Sequence, residues 1–301
     1  METLIAEPTP AEIYDSRFVP ALFAQWGPKV VDAAAITTGM TVLDVGCGTG
    51  ALTVSVAERV GEEGRTVGID PNPDMLTVAR RKPVAVEWRQ GVAESLPFNE
   101  ANFDAVVSQF AMMFFEDRPK ALAEMHRVAR PGGTVAVAVC GDVASSPGYA
   151  AFADLLDRLF GRGIGDAFRA PFVLGDRADL LDIAGSAGIS DASVEQCAGE
   201  VRFSSIEDLV STERACAWTL GGLLDRDQFA QLQQEAQTAL RPFLDDVGAI
   251  SFAMPSLILR FRKHRHIAPE SHGGSAGLAR IWVPSLPKRL SAKAASKVRD
   301  G

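Results

Sequence analysis

Residues 41–50, Thr-Val-Leu-Asp-Val-Gly-Cys-Gly-Thr-Gly, constrain this chain more than any other segment. A β-branched apolar run meets a carboxylate, Asp44, and then glycines at alternate positions ahead of an apolar helical pattern. That order predicts a strand running into a nucleotide-binding turn. Gly46, Gly48 and Gly50 lack a Cβ, so the backbone there can take φ > 0 and let a ligand lie against it. The helix expected to follow, over about 51–59, aims its unpaired N–H groups into the turn, which suits a polar or anionic group.

Short strand and helix patterns alternate after this turn. Strands are expected at 65–70, 84–90, 103–108 and 134–140, with helices at 51–60, 73–81 and 118–129 between them. Such spacing implies right-handed parallel crossovers and an α/β, doubly wound sheet. Residues 11–36 read as one or two helices, broken by Pro20 and by Gly27-Pro28. Beyond Gly141 the pattern turns helical, at 149–160, 177–187, 206–217 and 227–244. Two strand-like runs, 192–203 and 250–261, are expected to form the last hairpin of the sheet, with Pro255 at an edge or bulge.

The ligand of an open parallel sheet lies beyond the carboxyl ends of its strands, where strand order reverses. Asp44 and the glycines follow the first strand, Asp70 ends the second, Ala93 and Glu94 follow the third, and Ser108 to Phe110 follow the fourth. Four strand ends are thereby expected to converge on one crevice.

These residues resemble a known family. The run VLDVGCGTG, Asp70 in VGID, the segment GVAESLPF and the stretch FDAVVSQFAMMFFEDRPKALAEMHRVARPGGTVAV are similar to the class I S-adenosylmethionine-dependent methyltransferases. The likeness is to the branch around the ubiquinone/menaquinone C-methyltransferases (methyltransferase type 11), and it covers roughly residues 12–140. The resemblance implies a mostly parallel seven-stranded, Rossmann-like sheet, with inserted helices over the active site at 142–190 and 206–246. It also implies S-adenosyl-L-methionine as cofactor and a small apolar or aromatic acceptor. The turn from Gly46 through Cys47 and Gly48 to Gly50 would then hold the methionine part, and Asp70 both ribose hydroxyls. Pro71 and Met75 would lie near the adenine, Val92 and Ala93 on its amino edge with Glu94 beside them, and Ser108 and Gln109 at the fourth strand end. Many relatives carry Asp at the position of Val92, and a valine cannot accept the hydrogen bond that this Asp takes from the adenine amino group.

Two other readings remain open on the residues alone. Gly46, Gly48 and Ala51 also fit the GxGxxA form of a dinucleotide fingerprint, with Asp70 placed for an NAD ribose. Alternatively the chain is a methyltransferase-like module that binds the cofactor without turnover. No firm catalytic residue stands out; Tyr14, Gln109 and Glu116 are the polar candidates near the crevice. On the acceptor side, Tyr14 and Trp26 suit either a lid over the cofactor or simple packing, Phe18 is a further substrate candidate, and Phe114 and Phe115 suit pocket lining and core packing equally. His126 reads as a packing residue some two helical turns from the crevice, and Asp117 as a helix N-cap.

Charge and cysteine usage narrow the partners. The net charge of −8 hides an acidic body of −16 over residues 1–259 and a basic end, with ten Lys/Arg against Glu270 and Asp300 from Arg260 onward. An acidic body argues against nucleic acid as a substrate. Cys47, Cys140, Cys197 and Cys216 make no CxxC pair, so neither a metal site nor a disulfide framework is expected. The dispersed cysteines, the acidic start and the lack of a long apolar run suit a cytoplasmic protein without a membrane span. The expected organisation is a helical lid at 1–40, a cofactor-binding domain at 41–261 and a basic, disordered tail at 262–301, with oligomeric state left open.

Overall fold

Strand β1 (Thr41–Val45) is buried at every position after the first, as a strand covered on both faces requires. It lies in a seven-stranded sheet of order β3-β2-β1-β4-β5-β9-β6. The computed structural model describes residues 8–216 and 219–264. Strands β2 (Arg65–Asp70), β3 (Val86–Gln90), β4 (Phe103–Gln109) and β5 (Ala129–Cys140) run parallel to β1, and β9 (Ser256–Arg262) is antiparallel to both β5 and β6 (Ser193–Cys197). Strand order reverses between β1 and β4, which puts the topological switch at the carboxyl end of β1. The expected α/β, mostly parallel seven-stranded sheet is what forms.

Alternate residues of the central strands feed two cores. Val42, Ala105, Val107, Ala136 and Ala138 pack with Val30 and Val31 of α2 (Trp26–Ala33) and with Leu52 and Val56 of α3 (Ala51–Val60). Leu43, Val45, Val106, Val135 and Val137 face the other way, toward Leu122 and Met125 of α5 (Arg118–Val128). This period of two is the doubly wound arrangement read at the level of side chains.

Three expectations about elements need correction. Pro20 does not break the leading helix; α1 (Pro10–Ile13) continues through it as a π-helical stretch, Tyr14–Phe23, whose wider turn tolerates the missing N–H, and the break falls at Ala24-Gln25 instead. Gly27-Pro28 likewise sits inside the first turn of α2, where proline costs little. The runs at 192–203 and 250–261 do not make one hairpin. Each is cut in two, so that β6 and β9 complete the main sheet while β7 (Glu200–Phe203) and β8 (Ile250–Ala253) form a small sheet of their own. Pro255 lies at the second cut, where its carbonyl accepts the Gly141 N–H at 3.0 Å.

Six further α-helices lie among the described residues. They are α4 (Pro73–Ala79), α6 (Pro147–Phe160), α7 (Arg162–Arg169), which periodicity did not reveal, α8 (Arg177–Ser186), α9 (Ile206–Ala215) and α10 (Arg226–Ala239). The expected basic tail falls, from residue 265 onward, outside the described residues. Among the described residues no helix is long and apolar enough to cross a membrane.

Candidate active site

The ends of β1 and β2 are tied together by the turn that follows β1. Gly46 and Cys47 donate their N–H groups to the Ile69 carbonyl at 2.8 and 3.0 Å. Asp70 accepts the Gly48 N–H on Oδ2 and the Asn72 N–H on Oδ1, both at 2.8 Å. Asn72 in turn caps α4, its Oδ1 accepting from the Asp74 N–H at 2.9 Å. One carboxylate therefore holds the glycine turn and the next helix start in a fixed relation.

Each glycine of the turn has a different reason to be glycine. At Gly46 (φ +71°) a Cβ would come within 2.4 Å of the Ala111 Cβ, and at Gly50 (φ +91°) it would strike the Trp88 indole at 2.7 Å. At Gly48 (φ +53°) a Cβ would meet nothing within 4 Å, because that backbone faces open space.

Asp44 lies beneath this turn and is 1% exposed. Its Oδ2 accepts the Thr53 hydroxyl of α3 at 2.6 Å, whereas Oδ1 is buried without a partner among the described residues. Burial pushes its carboxyl up to about 7, against the lowering effect of Thr53. Burial also raises Asp70, although its two backbone N–H donors pull the other way.

A cavity of about 250 Å³ opens over these groups. Asp44, Gly46, Cys47, Gly48, Asp70, Pro71, Asn72 and Met75 wall it on the β1–β2 side. Phe18, Leu22, Phe110, Met113, Phe168 and Phe172 give it an apolar, aromatic half. Phe110 has φ +53°, a strained conformation for a bulky residue, and its ring packs edge-on to Trp26 at 5.7 Å. Among the described lining residues there are three carboxyls, Asp44, Asp70 and Glu213, and no Lys, Arg or His.

Residues 43–137, which span the end of β1, the turn, Asp70, strands β2 to β4 and most of β5, match the model of the family described as "Methyltransferase domain". Residues 43–137 are a methyltransferase domain. Two curated relatives agree with it. The chain is 38% identical over 115 residues to the 2-phytyl-1,4-naphtoquinone methyltransferase of Thermosynechococcus vestitus, covering 37% of this chain and 51% of that one. It is 38% identical over 118 residues to the ubiquinone/menaquinone biosynthesis C-methyltransferase UbiE of an Enterobacter species, covering 37% of this chain and 47% of that one. The chain thus spans about half the length of the curated relatives it matches. In fold it is similar to a putative methyltransferase from Bacillus halodurans, with a TM-score of 0.54 at 22% identity over 79% of this chain and 99% of that one.

Around the methyltransferase domain the structure gathers most of the site residues expected from sequence. Tyr14, Phe18, Asp44, Gly46, Cys47, Gly48, Asp70, Pro71, Met75, Gln109, Phe114 and Phe115 all line the cavity. The others lie elsewhere. Gly50 is screened by the Trp88 ring, Ala93 is packed in the core, and Ser108 is fully buried within β4. Val92 is 46% exposed and outside the cavity wall. Glu94 is engaged with the N–H groups of Glu116 and Asp117 at 2.9 and 3.3 Å, so it braces the loop before α5. Trp26 is fully buried against Phe110 and Gly199 rather than placed as a lid.

The packing assignments hold. Asp117 caps α5 through the Lys120 N–H at 3.0 Å, and the half-buried His126 ring lies 6.2 Å from that of Phe261. Glu116 is exposed, which removes it from the polar candidates at the crevice. Gln109 stays among them: its amide donates to the Phe23 carbonyl at 3.2 Å while its Oε1 is buried without a partner among the described residues.

Sequence reasoning missed Tyr149 and Glu213, both of which line the cavity. A signal for Glu213 was present. It falls in step with Ile206, Leu209 and Val210 on the buried stripe of α9, where a carboxyl has no structural reason to be.

Proposed function

We propose that this chain transfers the methyl group of S-adenosylmethionine to a small, uncharged, apolar or aromatic molecule. The observation that carries this reading is the cavity itself: Asp44, Gly48 and Asp70 converge on a space walled by three carboxyls and no described basic side chain. Such a wall favours a cation, and the cofactor carries a sulfonium and an ammonium. It disfavours the pyrophosphate of NAD, which sets the dinucleotide reading aside. A phosphorylated acceptor is disfavoured for the same reason.

The residues present fit the cofactor on structural grounds. The unpartnered Asp44 Oδ1 would receive the amino group, the open backbone at Gly48 would lie along the methionine part, and Asp70 has lone pairs left for ribose hydroxyls after its two N–H bonds. Pro71 and Met75 would flank the adenine. When bound, the cofactor supplies an electrophilic methyl group. The chain's own work is to hold the acceptor in line with it and to exclude water, and positioning of that kind can lower a barrier by about 7 to 11 kcal/mol. The names of the curated relatives, which concern quinone-type compounds, support an aromatic acceptor here.

Incubating the protein with labelled S-adenosylmethionine and a panel of quinols, phenols and amines, with mass spectrometry of the products, tests this. Methyl transfer to a member of the panel is the expected result. Tight cofactor binding with no transfer to any would favour a binding module instead.

A further inference from the structure

Glu213 is the only acidic side chain, among the described residues, that reaches the cavity from the helices covering it. It is 2% exposed, and its Oε2 makes no hydrogen bond to any described group. The Thr219 hydroxyl donates to the Glu213 backbone carbonyl at 3.0 Å and also lies near enough to the carboxyl to favour its ionised form. Across from it, the buried Tyr149 hydroxyl of α6 lies close enough to the carboxyl to favour its ionised form, without a well-aligned hydrogen bond to it. Tyr149 is fixed in place by edge-on packing against Phe168, Phe172 and Phe252 at 5.4, 5.7 and 5.0 Å.

A buried carboxyl and hydroxyl that face each other without a well-aligned bond keep hydrogen-bonding capacity, at Glu213 Oε2 above all, that a ligand can complete. The shape of what they lack is specific: a flat apolar body ending in one group that donates a proton. From this geometry, and resting on the methyltransferase reading above, we infer that Glu213 is the proton acceptor for a hydroxyaromatic substrate, with the Tyr149 hydroxyl as the second contact to the same substrate oxygen.

The step balances without a further reagent. The substrate O–H bond breaks, its proton goes to the Glu213 carboxylate, and the electron pair stays on the acceptor, through oxygen or a conjugated ring carbon. That pair forms the bond to the methyl carbon as the carbon–sulfur pair returns to sulfur, and Glu213 later gives its proton to water. Where carbon is the nucleophile, the proton on Glu213 instead returns to the oxygen as the methylated ring carbon gives its hydrogen to water. The ionisable groups around Glu213 are Tyr149 of α6, Cys140 of β5 and Cys216 just after α9, with no described cation to hold it ionised. Burial accordingly pushes Glu213 up to about 7, where a general base is most effective at neutral pH. An ammonium substrate would instead need a partner that stays ionised.

The test uses 2-naphthol, a fluorescent hydroxyaromatic probe, with 2-naphthylmethylamine as its ammonium counterpart and S-adenosylhomocysteine as a measure of the cofactor half. In the wild type, 2-naphthol affinity should rise as pH passes through about 7, the value to which burial brings Glu213. Glu213→Gln should lower that affinity by about tenfold or more above this pH, the loss expected for a hydrogen bond to a charged group, and erase the inflection. Tyr149→Phe should give a smaller loss with the inflection kept. Wild-type affinity and pH profile in Glu213→Gln, or preferential binding of the amine by the wild type, would overturn the inference. Should Glu213→Gln fail to fold, a flat wild-type profile through this pH, or an inflection lost in Asp44→Asn, would overturn it, and an inflection kept in Asp44→Asn would support it. Failure of the wild type to bind S-adenosylhomocysteine would sink the methyltransferase reading, while the naphthol titration would still decide the role of Glu213.

Discussion

The Asp70 carboxylate accepts the Gly48 N–H at 2.8 Å, which joins the end of β2 to the turn after β1. Its other oxygen takes the Asn72 N–H, so one side chain positions both the glycine turn and α4. Asp70→Ala should therefore damage binding and fold together. Each hydrogen bond lost to this charged group is worth about 1.5 to 3 kcal/mol, so S-adenosylhomocysteine affinity should fall about a hundredfold or more, with a lower thermal midpoint. Calorimetric titration and thermal unfolding of the same variant check both effects.

The glycines should separate these effects. Gly46→Ala drives a methyl group into Ala111 and should destabilise the protein by several kcal/mol, the scale of an overpacked core. Gly48→Ala meets no neighbour, and its conformational cost is only about 1 to 2 kcal/mol, yet its methyl projects where the cofactor would lie. Denaturant unfolding paired with cofactor titration should find Gly46→Ala hurt mainly in stability and Gly48→Ala mainly in binding.

Cofactor affinity should depend on pH through Asp44. In the free protein its carboxyl sits near 7, so below that pH it is largely protonated and must ionise to receive a cation. Binding below about pH 7 should release a proton and tighten as pH rises, levelling off above 7, and Asp44→Asn should flatten the profile. The same shift bears on stability. Because the folded-state value is raised above the unfolded one of 3.8, the contribution is present at low pH and lost as pH climbs through about 7. Thermal midpoints of wild type and Asp44→Asn across this range should diverge in that direction.

The leading helix is clamped to the turn after α4 by Lys82 on Asp15, with oxygens at 2.6 and 2.7 Å, and by Arg81 on Glu12 at 2.6 Å. Tyr14, Phe18 and Leu22 on that segment wall the cavity, so these ion pairs hold a covering element rather than the core. The double variant Arg81→Ala/Lys82→Ala should unfold within about 2 kcal/mol of wild type yet release S-adenosylhomocysteine up to about tenfold faster, as should wild type at high salt. Stopped-flow displacement at two ionic strengths checks this.

How much of this was legible in the sequence depended on how local the cause was. Asp44, the glycine turn and Asp70 could be read because each lies at a strand end, and its residue type marks the turn that follows. The splitting of 192–203 and 250–261 between two sheets could not, since a continuous apolar run carries no mark of where it changes partners except Pro255. Gly50, Glu94 and Trp26 were expected at the site, but Gly50 is conditioned by the distant Trp88 ring, Glu94 by the loop before α5, and Trp26 by Phe110 and Gly199. Glu213 gained meaning only when the fold brought α9 opposite Tyr149 of α6. Its place on an apolar helical stripe was nevertheless a readable anomaly.

Calorimetric titration of the full chain with S-adenosylhomocysteine and with NAD tests the central claim most directly. The arrangement of Asp44, Gly48 and Asp70 in a carboxyl-lined cavity predicts binding of S-adenosylhomocysteine in the micromolar range, weakened about a hundredfold or more in Asp70→Ala, and no detectable binding of NAD. Binding of NAD without S-adenosylhomocysteine, or cofactor affinity indifferent to Asp70→Ala, would contradict it.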